Sequence, residues 1–384
     1  MGPKVLYLLN ISNPDRLSAD SGWVVADVLL PALTNAGAVV TLGSPAPVRD
    51  TRVGFWPMPV PATKYRARFD GDTGALADLI RRTTPEVVVA NQIEAAPQVR
   101  AAMLEARCGA TLAGYCHYLP FGVEEGRPLV DPLMDDAGLG RPVMWTFLAG
   151  IAALDRVMVH SPMAAALLSA ATRHAGLDLG DRLHVVPPPR DPALVVGGRV
   201  TPPTGESAVA VYNHRLYAHY GTEHFLRLAT ELASPALQVT VMDLFGNRRA
   251  ARSALDTSPE RFRDALGALP NVQVASDGGD RDAYRRVLAG AHLGIAPYRA
   301  ACPWSMSVID CQAMGLPVIS PRLGWMAEHI HPELLFDSSA EAVKITDQLV
   351  TDPLFYTRHS EYARACTEVL SPALIAARYL EAVT

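Results

Sequence analysis

This sequence of 384 residues has few lysines and no long apolar stretch. Only Lys4, Lys64 and Lys344 are lysines among its 34 basic residues, which indicates an arginine-biased composition. No run of about 18 apolar residues occurs, so we expect no transmembrane helix. The amino terminus enters an apolar segment at once and lacks the small-residue cleavage site of a signal peptide. We therefore expect a cytoplasmic protein without a membrane span.

Several signatures of catalysis and metal binding are also missing. The five cysteines are odd in number and include no C-x-x-C pair, which favours reduced thiols and no structural zinc site. The sequence has no P-loop, no G-x-S-x-G, no H-E-x-x-H and no EF-hand loop. A G-x-G-x-x-G fingerprint is missing after the first apolar segment, which argues against a dehydrogenase. A non-hydrolysing sugar epimerase would need a set of acid–base carboxylates and histidines that we cannot assemble here.

Length and composition predict two α/β domains. A single core rarely grows beyond about 250–300 residues, while hydrophobic residues make up 49% of the chain and charged residues 19%. Short β-branched segments alternate with amphipathic ones, which is typical of a parallel sheet with helical crossovers. A first series begins with the strand Lys4–Asn10, and a second begins with the strand Ala208–Tyr212 and includes the helix Arg281–Ala289. Such sheets bind ligands at the carboxyl ends of their strands.

The segment after Pro297 carries the strongest signal of a binding site. A strand ends at Pro297, a loop of small residues follows, and Ser305 or Ser307 can cap a helix that begins near Val308. The start of such a helix offers unpaired N–H groups and the positive end of a dipole to a phosphate. Asp310 lies in the first turns of this helix, where a carboxylate can accept hydrogen bonds from ribose hydroxyls. Taken alone, Asp310 is equally well interpreted as a solvent-facing acid.

The string Ile309–Val318, IDCQAMGLPV, resembles the signature of the retaining GT-B glycosyltransferases, the large glycosyl transferases group 1 family. Members read roughly E-G-F-x-x-x-x-x-E-A-M-A-x-G-x-P-V at this point. The resemblance puts Asp310 at the second glutamate of the family, which binds the donor ribose. The first glutamate, eight residues earlier, falls on Cys302. A thiol has neither the charge of that glutamate nor its hydrogen bonds to the donor sugar.

Other segments are similar to the same family in the same order. The stretch Ala208–Gly221 is similar to a strand followed by G-R-x-x-x-x-K-G, which puts Arg215 at the arginine that contacts the donor diphosphate. The companion lysine falls on Tyr220. The nearby histidines either supply the hydrogen-bond donor that the lysine would provide or lie in an ordinary surface loop. The loop Asp243–Gly246 resembles the one that lines the base pocket. The donor-binding positions implied in this half are His214, His219, Tyr220, Gly246, Cys302, Ser305, Met306, Ser307 and Asp310.

In the first half, Tyr115–Pro120 resembles the strand-end H-D of the family, whose histidine reaches the donor sugar. His117 is thereby implied to be catalytic, although a histidine at a strand end is also an ordinary structural feature. The loop Ser18–Gly22 resembles the family's small-residue loop, which faces the donor phosphates and the acceptor. Asp20 or Ser21 is implied to hold the acceptor hydroxyl, and Gly22 is one glycine of the usual pair. The implied catalytic residues are His117, Arg215 and Asp20, with Ser21 and Gly22 near the donor.

The resemblance implies a definite architecture and chemistry. We expect a GT-B fold, an α/β fold of two Rossmann-like doubly wound parallel-sheet domains with a cleft between them. Residues 1–195 would form the acceptor-side domain, 196–355 the nucleotide-sugar domain, and 356–384 the C-terminal helices, the last crossing back to the first domain. The donor would be a UDP- or GDP-linked sugar used as co-substrate. No other cofactor and no metal is expected, since the helix start and Arg215 would neutralise the diphosphate.

Three hypotheses about the acceptor and the activity stay open. The net charge of −5 favours a small-molecule or glycan acceptor over a polyanion. Loss of the first glutamate and of the lysine also fits a catalytically degenerate GT-B protein that binds a nucleotide. The third hypothesis is a modified acceptor base in DNA or tRNA, and it rests on two groups of basic and aromatic residues. The alternative is that these residues form an ordinary solvated surface. They are Lys64, Tyr65, Arg66, Arg68, Phe69, Arg248, Arg249 and Arg252. The sequence does not predict an oligomeric state.

Overall fold

The computed structural model describes residues 2–11, 13–61, 63, 66–130, 135, 138–197, 202–203, 208–232, 236–242, 256–299 and 302–384. The chain divides into two compact units, one formed by Met1–Pro189 with Ser371–Thr384 and the other by Arg190–Leu370. The predicted boundary at 195 and the predicted C-terminal segment up to 370 thus fall within the second unit. The second unit begins before the predicted boundary, because Asp191 pairs with two arginines of that unit.

The first unit contains a parallel sheet of seven strands. The described strands of the whole unit are β1 (Lys4–Leu8), β2 (Val39–Ser44), β3 (Gly54–Pro57), β4 (Val87–Ala90), β5 (Thr111–Cys116), β6 (Gly122–Glu124), β7 (Arg127–Leu129), β8 (Arg156–Val159) and β9 (Leu183–Val185). The sheet has the order β3-β2-β1-β4-β5-β8-β9, and β6 and β7 form a separate antiparallel pair. The described helices are α1 (Ser21–Asn35), α2 (Arg66–Phe69), α3 (Thr73–Thr83), α4 (Ala96–Glu105), α5 (Gly140–Ala152) and α6 (Pro162–His174).

Local sequence explains why these elements form. All four residues of β4, Val-Val-Val-Ala, are buried, as expected for a strand of a parallel sheet covered on both faces. The helix α3 begins where Asp72 accepts a hydrogen bond from the Ala75 N–H at 2.9 Å. Its apolar side packs inward and contains Leu76, Ala77, Leu79 and Ile80. Such alternation of buried strands and one-sided helices is the pattern that the sequence predicted.

The second unit repeats this plan with six parallel strands. They are β10 (Ala208–Tyr212), β11 (Leu237–Met242), β12 (Val272–Ala275), β13 (Leu293–Ile295), β14 (Val318–Pro321) and β15 (Leu335–Phe336), in the order β12-β11-β10-β13-β14-β15. The described helices are α7 (Pro192–Gly197), α8 (Thr222–Glu231), α9 (Ser258–Gly267), α10 (Arg281–Ala289), α11 (Met306–Ala313), α12 (Met326–His329), α13 (Ser339–Thr351) and α14 (Pro353–Glu368). This strand order is that of a Rossmann sheet.

The last helix, α15 (Pro372–Val383), belongs to the first unit, where it packs against α1. The predicted pair of doubly wound parallel sheets is confirmed by the strand orders. Among the described residues, no helix has the length and apolar character needed to cross a membrane.

Candidate active site

The strand order of the second sheet reverses between β10 and β13, which is where open α/β sheets bind ligands. Asn213, His214 and Arg215 directly follow β10. The Asn213 amide donates to the Tyr284 hydroxyl at 2.8 Å and to the Ser307 carbonyl at 3.1 Å. This amide therefore connects the end of β10 to α10 and to the start of α11.

The start of α11 has the features of the predicted anion site. Ser305 caps the helix, because its Oγ accepts a hydrogen bond from the Val308 N–H at 3.4 Å. Met306 and Ser307 follow in the first turn and are partly exposed. Unpaired N–H groups and the helix dipole favour negative charge at this end. The predicted residues Ser305, Met306 and Ser307 are thus brought to the carboxyl edge of the sheet, where Asn213 also lies.

Asp310 lies within a buried ion network. Only 3% of the residue is exposed, so its interpretation as a solvent-facing acid is wrong. Its Oδ2 accepts from the Tyr284 hydroxyl at 2.8 Å and from Arg281 Nη2 at 3.0 Å. Arg281 Nε in turn lies 3.1 Å from Asp191 Oδ2, and Arg285 Nη2 lies 2.7 Å from the same oxygen. Two carboxylates and two guanidiniums therefore balance one another inside the second unit.

Burial and charge act on this network in opposite directions. Burial raises the pKa of Asp310, and the Arg281 charge offsets only part of that rise. Burial would also raise the pKa of Asp191, but the Arg281 and Arg285 charges hold it below its usual value. Burial, reinforced by the Asp310 charge, raises the pKa of Tyr284 far above its usual value. The Tyr284 hydroxyl therefore stays protonated at neutral pH and donates to Asp310.

His214 is a buried, neutral ring. Burial lowers its pKa to about 3, and a hydrogen bond to the Ile295 backbone opposes this fall only in part. Its Nε2 is buried and has no hydrogen-bond partner among the described residues. Because the other ring nitrogen donates to the backbone, Nε2 is left as an acceptor, which suits a hydroxyl rather than a phosphate. A neutral imidazole also cannot replace the charge of the lysine expected at Tyr220.

The turn after β10 is aromatic. The rings of Tyr217 and His219 stack at 5.0 Å, and the ring of Tyr220 lies 4.9 Å from that of His219. Arg299, from the loop after β13, holds its guanidinium carbon 5.3 Å from the centre of the Tyr220 ring. A cation therefore lies beside the position of the missing lysine. The family resemblance did not point to Arg299, because this residue lies in a different loop from Tyr220.

Cys302 points back into its own loop. Its Sγ donates to the Trp304 carbonyl at 3.2 Å, and 2% of the residue is exposed. Burial raises the pKa of the thiol, so it is neutral at pH 7. The predicted Gly246 lies outside the described residues, as do Lys64, Tyr65, Arg248, Arg249 and Arg252.

In the first unit, the strand order reverses between β1 and β4, and His117 follows the neighbouring strand β5. The Asn91 amide nitrogen, just after β4, donates to the Leu8 carbonyl at 2.9 Å. Its Oδ1 therefore accepts from His117 Nε2 at 2.8 Å, which assigns the proton to Nε2 and leaves Nδ1 as an acceptor. Burial lowers the pKa of His117 to about 4. The ring is thus fixed in position and neutral at pH 7.

Asp20, Ser21 and Gly22 form the start of α1. The Asp20 carboxylate caps this helix by accepting from the Trp23 N–H at 3.0 Å. Ser21 is exposed in the first turn. Gly22 is buried, and a Cβ there would lie 3.2 Å from both Asp20 Oδ1 and Leu9 Cδ1. A larger residue would therefore press on the capping carboxylate and on the Leu9 side chain, which would have to shift by a few tenths of an ångström.

A buried acid that sequence reasoning missed lies in the turn Ile93–Ala95, after β4. Glu94 is fully buried, accepts a hydrogen bond from the Tyr118 hydroxyl, and lies 3.2 Å from Arg68 Nε. Arg66 pairs with Asp70 at 3.2 Å. Both arginines of the predicted basic patch that are described here are therefore paired with carboxylates.

No protein-family model and no curated protein matches the sequence. Solved structures do match. HepE (Alr3699) of Anabaena, in complex with UDP and glucose, is 15% identical and has a TM-score of 0.69, with 99% of this chain and 98% of that chain covered. Sucrose-phosphate synthase from Thermosynechococcus elongatus is 14% identical, with a TM-score of 0.70 and coverages of 98% and 97%. The chain has the GT-B fold.

A third GT-B structure shares even less sequence. The UDP-forming α,α-trehalose-phosphate synthase from Burkholderia xenovorans is 8% identical, with a TM-score of 0.70 and coverages of 100% and 99%. The GT-B architecture that the resemblance implied is therefore confirmed. At these identities the likeness establishes the fold, and the chemistry has to be argued from the residues at the two sheet edges.

Proposed function

We propose that this chain is a nucleotide-sugar glycosyltransferase that moves a sugar to an acceptor hydroxyl with retention of anomeric configuration. The carrying observation is the reversal point of the second sheet, where the capped start of α11 lies next to an ion network that contains Asp310. The GT-B fold supports the proposal, as do the UDP and UDP-glucose in the HepE structures. We favour a UDP-linked hexose as donor, with a GDP-linked sugar as the alternative.

The diphosphate would bind at the start of α11. Its N–H groups and dipole attract anions, and Arg215 can pair with phosphate oxygens through two parallel hydrogen bonds. We assign to Arg299 the positive charge that Tyr220 does not provide. A helix end and two guanidiniums can neutralise the charge that develops on the leaving diphosphate. We therefore propose that the transfer needs no added metal, and that Mg²⁺ leaves the initial rate unchanged.

We assign Asp310 to the ribose hydroxyls. Arg281 and Tyr284 both bond to its Oδ2, and this fixes the orientation of the carboxylate before the ligand binds. The unpartnered Nε2 of His214 offers a second acceptor for a hydroxyl of the donor. Fixed acceptors of this kind cost little ordering free energy on binding.

We assign His117 to the donor sugar. Its Nε2–H is held by Asn91, so its Nδ1 is free to accept a hydrogen bond from a sugar hydroxyl. A pKa of about 4 makes the ring a weak proton acceptor at pH 7. We therefore propose that His117 positions the sugar for the front-face departure and attack that retention implies, and that it is not the general base.

The first unit favours an uncharged acceptor. Arg68 is paired with the buried Glu94, and Arg66 with Asp70, so neither presents an unbalanced positive charge to a polyanion. The overall charge of −5 acts in the same direction. We propose a small-molecule or glycan acceptor whose hydroxyl is held near the start of α1, where Asp20 and Ser21 lie.

The test is incubation of the full chain with UDP- and GDP-sugars and a panel of sugar and small-molecule acceptors. Release of free nucleotide, with the product configuration read by NMR, supports the proposal if the configuration is retained. Neither transfer nor hydrolysis, together with no thermal shift by any nucleotide, would support the degenerate GT-B alternative. An acceptor in DNA or tRNA would instead require binding that weakens steeply with added salt.

A further inference from the structure

A cluster of two histidines and one glutamate lies in the second unit, on elements that the proposed chemistry does not use. His331 directly precedes the short turn Pro332–Leu334 before β15, Glu333 lies within this turn, and His359 lies in α14. One nitrogen or oxygen atom from each side chain lies within 4.8 Å of the other two. No metal site was expected from the sequence, because the cysteines include no C-x-x-C pair and because Arg215 and the helix start would neutralise the diphosphate.

The distances suit a tetrahedral metal. Zinc lies about 2.0–2.1 Å from histidine nitrogens and about 2.0–2.2 Å from carboxylate oxygens, which puts neighbouring ligand atoms about 3.3–3.5 Å apart. Glu333 Oε2 lies 3.2 Å from His359 Nε2 and 3.6 Å from His331 Nδ1. Both distances are close to that edge length, and the ligand atoms of the two histidines lie within 4.8 Å of each other. The three-ligand face would form once the side chains rotate and His331 Nδ1 gives up its hydrogen bond from the Glu333 N–H.

His359 is the residue that most needs a partner. Only 1% of it is exposed, and within the described part of the chain neither of its ring nitrogens makes a hydrogen bond. The close approach of Nε2 to Glu333 does not have the direction of a hydrogen bond. Phe355 packs on the ring of His359 at 4.4 Å, and Tyr362 meets the ring of His331 edge-on at 4.9 Å. The His359 ring is thus held in place with buried nitrogens available, whereas His331 is partly exposed and its Nδ1 accepts a hydrogen bond from the Glu333 N–H at 3.3 Å.

Arg358 competes for the same carboxylate. Its Nη2 lies 2.7 Å from Glu333 Oε2, the oxygen shared by both histidine contacts. A bound cation would have to share or displace this guanidinium. The competition gives the site an internal control, because removing the Arg358 charge should strengthen metal binding while leaving all three ligands in place.

We propose that His331, Glu333 and His359 bind one divalent ion of the zinc class. Two imidazoles and a carboxylate suit Zn²⁺ or Co²⁺, whereas Mg²⁺ and Ca²⁺ prefer an all-oxygen set. The fourth tetrahedral position is available to water, because Glu333 is exposed at the surface. The ion joins the turn before β15 to α14 and stabilises the second unit. This proposal does not depend on the glycosyltransferase assignment.

The test uses the full chain, stripped with a chelator and titrated with Co²⁺ and then Zn²⁺. We expect one equivalent of Co²⁺ with the visible absorption of tetrahedral coordination, its displacement by Zn²⁺, and a higher unfolding midpoint with either ion. His331→Ala and Glu333→Gln should each weaken binding at least tenfold, and Arg358→Gln should tighten it. His174→Ala, which removes an exposed imidazole of the first unit, should change nothing.

Two results would overturn the proposal. One is the absence of tetrahedral Co²⁺ absorption in the unaltered chain. The other is Co²⁺ or Zn²⁺ binding that survives both His331→Ala and Glu333→Gln, since the ion would then be held elsewhere. Because both variants change partly or fully exposed residues, they test the site even if His359→Ala fails to fold.

Discussion

Replacing Asp191 by alanine removes the acid that two buried arginines share. Its Oδ2 lies 3.1 Å from Arg281 Nε and 2.7 Å from Arg285 Nη2, and these side chains are only 11% and 18% exposed. Removing one partner of a buried ion pair costs about 3–5 kcal/mol. Asp191 Oδ1 also accepts from the Ala193 N–H at 3.0 Å, at the start of α7, and loss of such a helix-start bond costs about 1 kcal/mol. We expect the free energy of unfolding of the second unit to fall by about 4–6 kcal/mol.

The same network provides a matched control. Asp282 also pairs with Arg285, but 68% of the Asp282 side chain is exposed, and exposed pairs contribute only about 0–1 kcal/mol. For a unit of this size each kcal/mol shifts the unfolding midpoint by about 2–4 °C. Calorimetry of the full chain should therefore show a loss of about 8–24 °C for Asp191→Ala and of no more than about 4 °C for Asp282→Ala. Equal shifts would refute the reasoning that burial, rather than contact with Arg285, sets the energy.

Four further predictions can be checked with single variants. Asp310→Asn should raise the donor KM about 10–100-fold with little change in kcat, and an unchanged KM would contradict the ribose assignment. Arg299→Met should lower kcat/KM about tenfold or more without moving the unfolding midpoint. Gly221→Ala, at a φ of 69°, would bring a Cβ within 2.2 Å of the Tyr298 carbonyl oxygen, so denaturant titration should show a loss of about 2 kcal/mol or more. The pKa of His214 falls to about 3 on folding from about 6.5. Since the unfolded state then binds the proton first, the free energy of unfolding should fall by about 1.4 kcal/mol per pH unit as the pH falls below about 6.5. His214→Gln should show a shallower slope, which denaturation at pH 7 and pH 5 can measure.

The regular elements with strong periodicity could be predicted from the sequence alone. The strand Ala208–Tyr212 and the helix Arg281–Ala289 have the predicted bounds, because a buried β-branched run and a one-sided apolar helix each leave a clear pattern. The edge strand Gly54–Pro57 was missed. It is short and largely exposed, so neither alternation nor burial distinguishes it from a loop.

The contacts around Asp310 were harder to predict than the helix that carries it. The motif located Asp310 and the start of α11, since both lie within one continuous segment. Arg281 and Arg285 stand four residues apart on one helix, which signals a nearby acid, but nothing in the sequence identifies Asp191, which lies about 90 residues earlier in the chain, as that acid. Such pairings depend on the fold, and so does the burial of Glu94.

The two departures from the family pattern have different consequences for the charge of the site. Where the resemblance implies a glutamate and a lysine, this chain has Cys302 and Tyr220. Arg299 holds a positive charge beside the Tyr220 ring, whereas the thiol at position 302 carries no negative charge. The Cys302 thiol is buried and bonded to the Trp304 carbonyl, so its loop is closed around a small neutral side chain. The longer glutamate would overpack this loop, even though the Arg299 charge acts at this position. Cys302→Glu should therefore destabilise the second unit rather than restore the family pattern. Under the assignment we propose, the donor sugar is held by neutral groups such as His117 Nδ1, and a charged sugar would gain nothing from position 302.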